Sequence, residues 1–255
     1  MDIDVSRIAH GGKRLYSARI GILMLETQFP RIPGDPGNGL TWPFPVLYKV
    51  VPGATPDRVV RHKSAGLINA FLDAASELVQ LGADGITTTC GFLSLYQREI
   101  AAHVGVPVAT SSLMQIPLLE RILPPGRRVG VLTVSAASLT AEHLIAAGAD
   151  PATPVVGTDN GREFSRVMLD EKHTLDAAAA EQDILDAGDE LVARHPDTGA
   201  VLLECTNMTP YARALSEHLL LPVYSLYTFV TWFHAGIVPR DFGPPGSGAH
   251  EWRER

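Results

Sequence analysis

The sequence has few cysteines, no excess of basic residues and no long hydrophobic run, and each shortage excludes a class of protein. Among its 255 residues, 28 acidic side chains outnumber 21 basic ones, which gives a formal net charge of -7 at pH 7. Because an acidic chain without a dense Lys/Arg run is poorly matched to a phosphate backbone, nucleic acid is not expected as a partner. No segment has the roughly 18 consecutive apolar residues of a membrane-spanning helix, so no membrane partner is expected either.

The chain has only two cysteines, Cys90 and Cys205. Residues 1–18 mix charges with glycines where a secretory signal needs an apolar stretch, which predicts a cytoplasmic protein. In a reducing compartment both cysteines are expected to be free thiols, with a disulfide as the alternative. The nine histidines form no His-Glu-x-x-His pattern, and the glycine-rich stretch 34–39 lacks the strand and helix of a phosphate loop. Neither a metal nor a nucleotide is therefore expected.

One pattern occurs twice along the chain. CGFLSLYQREIAAHVGVPV at 90–108 aligns without a gap on CTNMTPYARALSEHLLLPV at 205–223. The alignment superposes six identical pairs: Cys90 on Cys205, Tyr96 on Tyr211, Arg98 on Arg213, His103 on His218, Pro107 on Pro222 and Val108 on Val223. A second, shorter repeat relates RIGIL at 19–23 to RVGVL at 128–132. The repeats indicate a duplicated unit. The alternative is that both halves share only the general sequence pattern of βαβ units.

Continuous apolar runs alternate with helical spacing, which is typical of buried parallel strands joined by helices. The predicted strands lie near 19–26, 85–89, 106–109, 128–134, 200–204 and 222–225, and the predicted helices are 58–81, 93–103, 174–195 and 209–219. The pattern predicts an α/β fold of two similar lobes, each a parallel sheet flanked by helices, related by a pseudo-twofold with the active site between them. We assign residues 1–112 plus 227–255, with a returning C-terminal helix, to the N-terminal lobe and 113–226 to the C-terminal lobe.

The segment 27–57 fits neither pattern, because it is rich in proline and glycine and too long for an ordinary connection. It is interpreted as a lid over the site. The alternative is a surface arm or subunit contact built on Trp42, Phe44 and Tyr48.

Both cysteines fall where a predicted strand ends and a helix begins, which is where open α/β sheets bind ligands. A helix N-terminus lowers the pKa of a thiol, so at least one of the two pKa values is expected below about 8.5. If the lobes face each other, Cys90 and Cys205 reach one carbon from opposite sides, and one can remove a proton while the other donates one. The alternative is that the cysteines are buried core residues, as cysteines often are.

A thiol after a buried strand in each half, with Cys205-Thr206-Asn207 in the second, resembles the aspartate/glutamate racemase superfamily. That superfamily includes amino-acid and hydantoin racemases, maleate isomerase and arylmalonate decarboxylase. The resemblance covers residues 18 to 236 and implies catalytic Cys90 and Cys205, no metal or pyridoxal phosphate, and a small carboxylate-bearing substrate. It also implies polar and backbone groups that bind substrate around the cysteines. These candidates are Thr89, Gly91, Phe92, Ser111, Ser112, Thr133, Thr206 and Asn207.

Two departures separate the chain from the racemases it resembles. Many of them have Cys-Asn-Thr at the first cysteine, whereas Cys90 is followed by Gly91 and Phe92. They also have a glycine-rich turn after the first strand, where this chain has Glu26. The Glu26 carboxylate is predicted to bind a cationic substrate group, with a local salt bridge to Arg31 as the alternative.

Three functions are consistent with these residues. The first is a cofactor-independent racemase or epimerase acting at the carbon next to a carboxylate or related carbonyl. The second is a lyase or decarboxylase of the same superfamily, similar to arylmalonate decarboxylase or the dimethylsulfoniopropionate lyases. The third is a binding protein without turnover. Whether the chain forms a homo-oligomer is left open.

Overall fold

The computed structural model describes residues 11–243, and these form two four-stranded parallel sheets. The strands of the first sheet are Ile20–Leu25 (β1), Val46–Val51 (β2), Gly85–Thr88 (β3) and Val108–Ala109 (β4), and those of the second are Arg128–Thr133 (β5), Val155–Gly157 (β6), Thr198–Leu203 (β7) and Val223–Tyr224 (β8). Their orders, β2-β1-β3-β4 and β6-β5-β7-β8, are equivalent. This equivalence confirms the predicted α/β fold of two similar lobes.

Eight α-helices surround the two sheets within the described residues. They are Ile68–Leu81 (α1), Gln97–Val104 (α2), Ile116–Ile122 (α3), Ala141–Ala146 (α4), Phe164–Leu169 (α5), Ala177–Arg194 (α6), Ala212–Leu219 (α7) and Leu226–Ile237 (α8). In residues 11–243, no helix has the length and apolar character needed to span a membrane.

A glycine in the first strand of each lobe sets how closely a helix packs on the sheet. A Cβ at Gly21 in β1 would stand 3.0 Å from Leu78 of α1, and one at Gly130 in β5 would stand 2.7 Å from Leu191 of α6. These two glycines are the central residues of the RIGIL and RVGVL repeat. The repeat therefore predicts the same close contact between helix and sheet in both lobes.

The repeat around the cysteines is also present in the backbone. Each cysteine is followed by a 3₁₀ turn, Gly91–Tyr96 or Thr206–Tyr211, and then by α2 or α7. Gly105 after α2 and Leu220 after α7 both have left-handed backbones, with φ of 68° and 54°. The alignment that superposes the cysteines also superposes these two residues, and it pairs a glycine with a leucine in a conformation that favours glycine.

The predicted elements need correction in several places, and helices α3, α4 and α5 were not predicted. The segment 27–57 contains an edge strand, β2, and the short strand β6 was not predicted. The helix predicted over 58–81 is interrupted, because Asp57–Arg61 forms a separate π-helical turn and Lys63 and Ser64 have left-handed backbones. The α-helix therefore begins only at Ile68.

The aromatic side chains of the segment 27–57 pack within the chain. The Trp42 ring stacks on Tyr227 of α8 at 5.8 Å, and the Phe44 ring stacks on His234 at 3.7 Å. Earlier in the same segment, a Cβ at Gly34 would stand 2.9 Å from Pro210 of the other lobe. The segment therefore reaches from the N-terminal sheet to the C-terminal lobe.

Helix α8 returns to the first lobe, where Gly85 of β3 leaves room for Phe233 and Ile237. The division of the chain at residues 112 and 227 remains a prediction. The outer ends of the assigned N-terminal lobe, 1–10 and 244–255, lie outside the described residues.

Candidate active site

Both cysteines line one cleft between the lobes. Cys90 follows β3 and Cys205 follows β7, and the two residues are only 8% and 7% exposed. The cleft is nearly closed around a cavity of only about 30 Å³, which has room for one or two water molecules. Its other lining residues are Leu25, Phe29, Arg31, Pro56, Val60, Thr89, Gly91, Phe92, Val134, Met168, Leu169, Glu204, Thr206 and Asn207.

Five of the predicted substrate-binding residues line this cleft: Thr89, Gly91, Phe92, Thr206 and Asn207. Two of them also connect the lobes, because the Thr206 hydroxyl donates a hydrogen bond to the Thr89 carbonyl at 2.7 Å. The structure thus brings the residues beside each cysteine together, and their roles toward a substrate remain predictions.

Ser111, Ser112 and Thr133 are fully buried but do not line the cleft. The Ser111 hydroxyl accepts a hydrogen bond from the N–H of Leu113, and the Ser112 hydroxyl donates to the Leu203 carbonyl at 2.8 Å. These two serines therefore hold a turn and the junction of the lobes. Thr133 reaches the cleft indirectly, since its hydroxyl donates to the Glu204 carboxyl at 2.6 Å.

Glu26 lies on the surface, outside the predicted position in the cleft. Its carboxylate accepts a hydrogen bond from the N–H of Gly53 at 2.7 Å. The residue follows the last position of β1, and successive side chains of an extended chain point to opposite sides. Since Leu25 faces the cleft, Glu26 faces solvent. The alternative salt bridge to Arg31 is not formed either, because Arg31 pairs with Asp35.

Arg31 is a cleft residue that sequence reasoning placed only as a partner of Glu26. Its guanidinium binds the Asp35 carboxylate at 2.7 Å and the Thr27 hydroxyl at 2.9 Å. Its side chain is 12% exposed, and it retains further N–H donors because a guanidinium has five. It places one positive charge of the segment 27–57 in the cleft.

Asp35 connects Arg31 to the residues beside the second cysteine, Cys205. Its other carboxylate oxygen accepts a hydrogen bond from the side-chain N–H of Asn207 at 2.6 Å. This bond orients the Asn207 amide, whose Oδ1 accepts the Cys205 thiol at 3.6 Å. A residue of the segment 27–57 therefore fixes a group that touches a candidate catalytic thiol.

Glu204, directly before Cys205, is the second cleft residue missed by sequence reasoning. Its carboxyl is completely buried. Oε2 accepts the Thr133 hydroxyl, whereas Oε1 has no hydrogen-bond partner among residues 11–243. Burial raises the pKa of Glu204 to about 8, and the Thr133 hydrogen bond opposes this rise. The available signal was an acid at the end of the apolar run VLL, next to the cysteine.

The expectation of a lowered thiol pKa is wrong for this cleft. Burial raises the pKa of Cys90 and of Cys205 far above the ordinary value, and the Glu204 charge raises both further. Backbone N–H groups act in the predicted direction, those of Phe92 and Leu93 on Cys90 and that of Asn207 on Cys205. Desolvation outweighs them because a buried thiolate loses the hydration that stabilises its charge.

The cleft therefore combines a guanidinium, a carboxyl group and two thiols with apolar walls. The guanidinium can hold a carboxylate, and a thiolate can remove a proton from the carbon next to it. Among residues 11–243, His, Cys, Asp and Glu form no group of three that could hold a metal ion.

Comparisons with known proteins give relatives in sequence and in fold. The chain is 28% identical to the dimethylsulfoniopropionate lyase of Durusdinium sp. clade D over 243 residues, which cover 92% of this chain and 79% of that protein. It is 26% identical to dimethylsulfoniopropionate lyase 3 of Emiliania huxleyi (strain CCMP1516), covering 91% of this chain and 62% of that protein. No protein-family model matches the chain.

Two solved structures illustrate the fold relationship. Arylmalonate decarboxylase superposes with a TM-score of 0.57 at 20% identity, over 89% of this chain and 96% of that one. Allantoin racemase from Pseudomonas fluorescens superposes with a TM-score of 0.56 at 14% identity, over 86% and 90%. At these identities the likeness establishes the fold alone.

The chain thus has the fold of the aspartate/glutamate racemase superfamily, a group of racemases and decarboxylases, and the predicted resemblance to it is confirmed. In sequence it is similar to dimethylsulfoniopropionate lyases along most of its length.

Proposed function

We propose that this chain is a cofactor-independent lyase that acts on dimethylsulfoniopropionate or a similar sulfonium carboxylate, with a cysteine thiolate as the base. The sequence similarity to dimethylsulfoniopropionate lyases over 92% of the chain carries the proposal. The cleft supports it, because Arg31 provides a site for the carboxylate and Phe29, Phe92 and Met168 provide apolar surface for the methyl groups.

The reaction is an elimination. The thiolate removes a proton from the carbon next to the carboxylate, and the electron pair of that C–H bond forms a carbon–carbon double bond. The carbon–sulfur bond breaks and sulfur keeps its electron pair, so dimethyl sulfide leaves as a neutral molecule. Acrylate remains, and the cysteine ends as the neutral thiol. The one proton released overall is the proton that the thiol gave to solvent when the thiolate formed.

A cationic substrate also suits the electrostatics of the closed cleft. Both thiols are neutral in the cleft because burial disfavours their charge. A sulfonium group beside them would lower the thiol pKa, since an opposite charge within about 4 to 6 Å favours the charged form. The substrate would thereby promote formation of the base that attacks it.

Racemisation is the second candidate, because the two thiols occupy matched positions in the two lobes and line the same cleft. That arrangement suits a pair of bases on opposite faces of one carbon. The small carboxylate substrate, the cytoplasmic location and a homo-oligomer all remain predictions.

The test is incubation of the purified protein with dimethylsulfoniopropionate in heavy water. We expect dimethyl sulfide in the headspace by gas chromatography and an equal amount of acrylate by NMR, with both absent for the Cys90→Ser/Cys205→Ser double variant. Inversion of aspartate or allantoin without release of sulfide would instead establish a racemase. Binding without deuterium exchange would indicate a protein that does not turn over its ligand.

A further inference from the structure

The buried Glu204 carboxyl has one satisfied oxygen and one unsatisfied oxygen. Thr133 donates to Oε2, whereas Oε1 is buried without a hydrogen-bond partner in the described part of the chain. Oε1 lies against the backbone of Gly91, which lines the cleft together with Glu204 and both cysteines. Leaving a buried polar atom unsatisfied costs about 1 to 3 kcal/mol, so a ligand is the natural source of the missing partner.

The protonation state of Glu204 determines what that partner is. The groups around the carboxyl are the Cys90 and Cys205 thiols and the Thr133 hydroxyl. The charges of Arg31 and Asp35 act on the same two thiols. Burial keeps the pKa of Glu204 near 8, so the carboxyl is neutral at pH 7. The Ser135 N–H donates to the Thr133 hydroxyl, and that hydroxyl donates to Oε2, so we assign the acidic proton to Oε1, which makes this oxygen a hydrogen-bond donor.

We propose that Glu204 acts as a neutral acid whose Oε1–H donates a hydrogen bond to the carboxylate of the bound substrate. The role rests on the proposed lyase function. When a cysteine removes the proton next to the carboxylate, negative charge moves onto the carboxylate oxygens. A fixed donor at that position stabilises the developing charge, and losing one such donor typically costs about 10²- to 10³-fold in rate. Arg31 and Glu204 would then hold the substrate carboxylate between them.

Two substitutions separate a neutral donor from an anion. Glu204→Gln keeps the size of the side chain and its N–H can donate, so kcat/KM should fall by no more than about tenfold, and the alkaline decline of wild-type kcat/KM near pH 8 should disappear. Glu204→Leu cannot donate and should lose about 10²- to 10³-fold. If Glu204→Gln is as inactive as Glu204→Leu, Glu204 acts as a base or as a partner of the sulfonium cation, and the proposal is overturned. The same conclusion follows if Glu204→Leu retains wild-type activity.

Infrared difference spectroscopy tests the acid without any turnover. The wild type at pH 6 should show the carbonyl band of a protonated carboxylic acid that Glu204→Gln lacks and that converts to carboxylate near pH 8. Added propionate should shift this band to lower frequency. As a control, Glu120→Gln removes an acid that binds the N–H of Val129 away from the cleft, and it should keep the band. A missing or unshifted band contradicts the donor role, whereas a shifted band without sulfide release contradicts only the lyase function.

Discussion

The carboxyl group of Glu204 lies directly against the Cα of Gly91, in the space that a side chain at position 91 would occupy. Racemases of this superfamily commonly have an asparagine after the first cysteine. Here that side chain is missing, and an acid from the other lobe fills its place. The glycine after Cys90 and the acid before Cys205 are therefore two parts of one structural feature.

Gly91→Ala is expected to destabilise the protein, because the added methyl group overlaps both the carboxyl and the backbone carbonyl of Glu204. Overpacking of this kind typically costs about 1 to 3 kcal/mol in the free energy of unfolding, which urea denaturation measures. Gly39→Ala is the matched control, since a Cβ there meets no atom within 4 Å.

Removing the carboxyl should relieve part of this cost. We expect the double variant Gly91→Ala/Glu204→Gly to be more stable than the sum of its two single variants predicts, because the shortened residue frees the space that the methyl group needs. Additive losses would show that the two residues do not compete for that space.

The stability of the protein should depend on pH through Glu204. Below pH 4.5 the carboxyl is neutral in the folded and the unfolded chain, and between 4.5 and about 8 only the unfolded chain ionises. The wild type should therefore lose stability relative to Glu204→Gln by about 1.4 kcal/mol per pH unit in this window, with no further loss above it. Urea denaturation from pH 4 to pH 9 checks the slope.

Thr133→Val provides a second check on this interpretation. The Thr133 hydroxyl lowers the pKa of Glu204, so its removal should extend the pH window of decreasing stability to higher pH. A difference between wild type and Glu204→Gln that does not change with pH would show that Glu204 is ionised in the folded protein.

The two cysteine variants should differ if the reaction is an elimination. The Cys205 thiol donates to Asn207 Oδ1, and a hydrogen bond made by the neutral form disfavours ionisation. We therefore expect Cys90 to be the base, so that Cys90→Ser loses about 10²- to 10⁴-fold in kcat and Cys205→Ser loses clearly less. The rate of dimethyl sulfide release measures the activity of both variants. Equal and complete loss, together with inversion of a chiral substrate, would favour the two-base racemase.

Arg31→Gln is expected to weaken substrate binding. A hydrogen bond to a charged group contributes about 1.5 to 3 kcal/mol, which corresponds to a rise in KM of about ten- to hundredfold. Because the variant leaves Asp35 buried without its partner, Arg31→Gln/Asp35→Asn should be measured beside it. Arg61→Gln, which removes an exposed ion pair with Asp57, is the control. An unchanged KM in the double variant would exclude Arg31 from the carboxylate site.

Much of the fold could be predicted because burial leaves a direct pattern in the sequence. Most of the six predicted strands are apolar runs, although β3 reads GITT, and the duplicated cysteine segment predicted two equivalent lobes. Strand β2 was missed because it is a half-exposed edge strand inside a proline-rich segment, and β6 because it has only three residues.

The site could be predicted only in part. Cys90 and Cys205 were found because duplication marks them within the sequence itself. Glu204 was missed because a carboxyl is almost never fully buried, and its position after the apolar run VLL, next to Cys205, was the one signal for it. The place of Arg31 depends on the path of an irregular segment across the other lobe, which local residue patterns do not determine.

The hydrogen bond from Thr206 to Thr89 joins the two strand ends that carry the cysteines, and Ser112 adds a second bond between the lobes. Separating the lobes would break both bonds at the point where the thiols need a fixed distance. The segment that carries Arg31 and Asp35 is attached to the C-terminal lobe through Asn207 and through the contact of Gly34 with Pro210. Substrate entry is therefore expected to be a movement of this segment over a rigid pair of lobes, and its return delivers the guanidinium to the cleft.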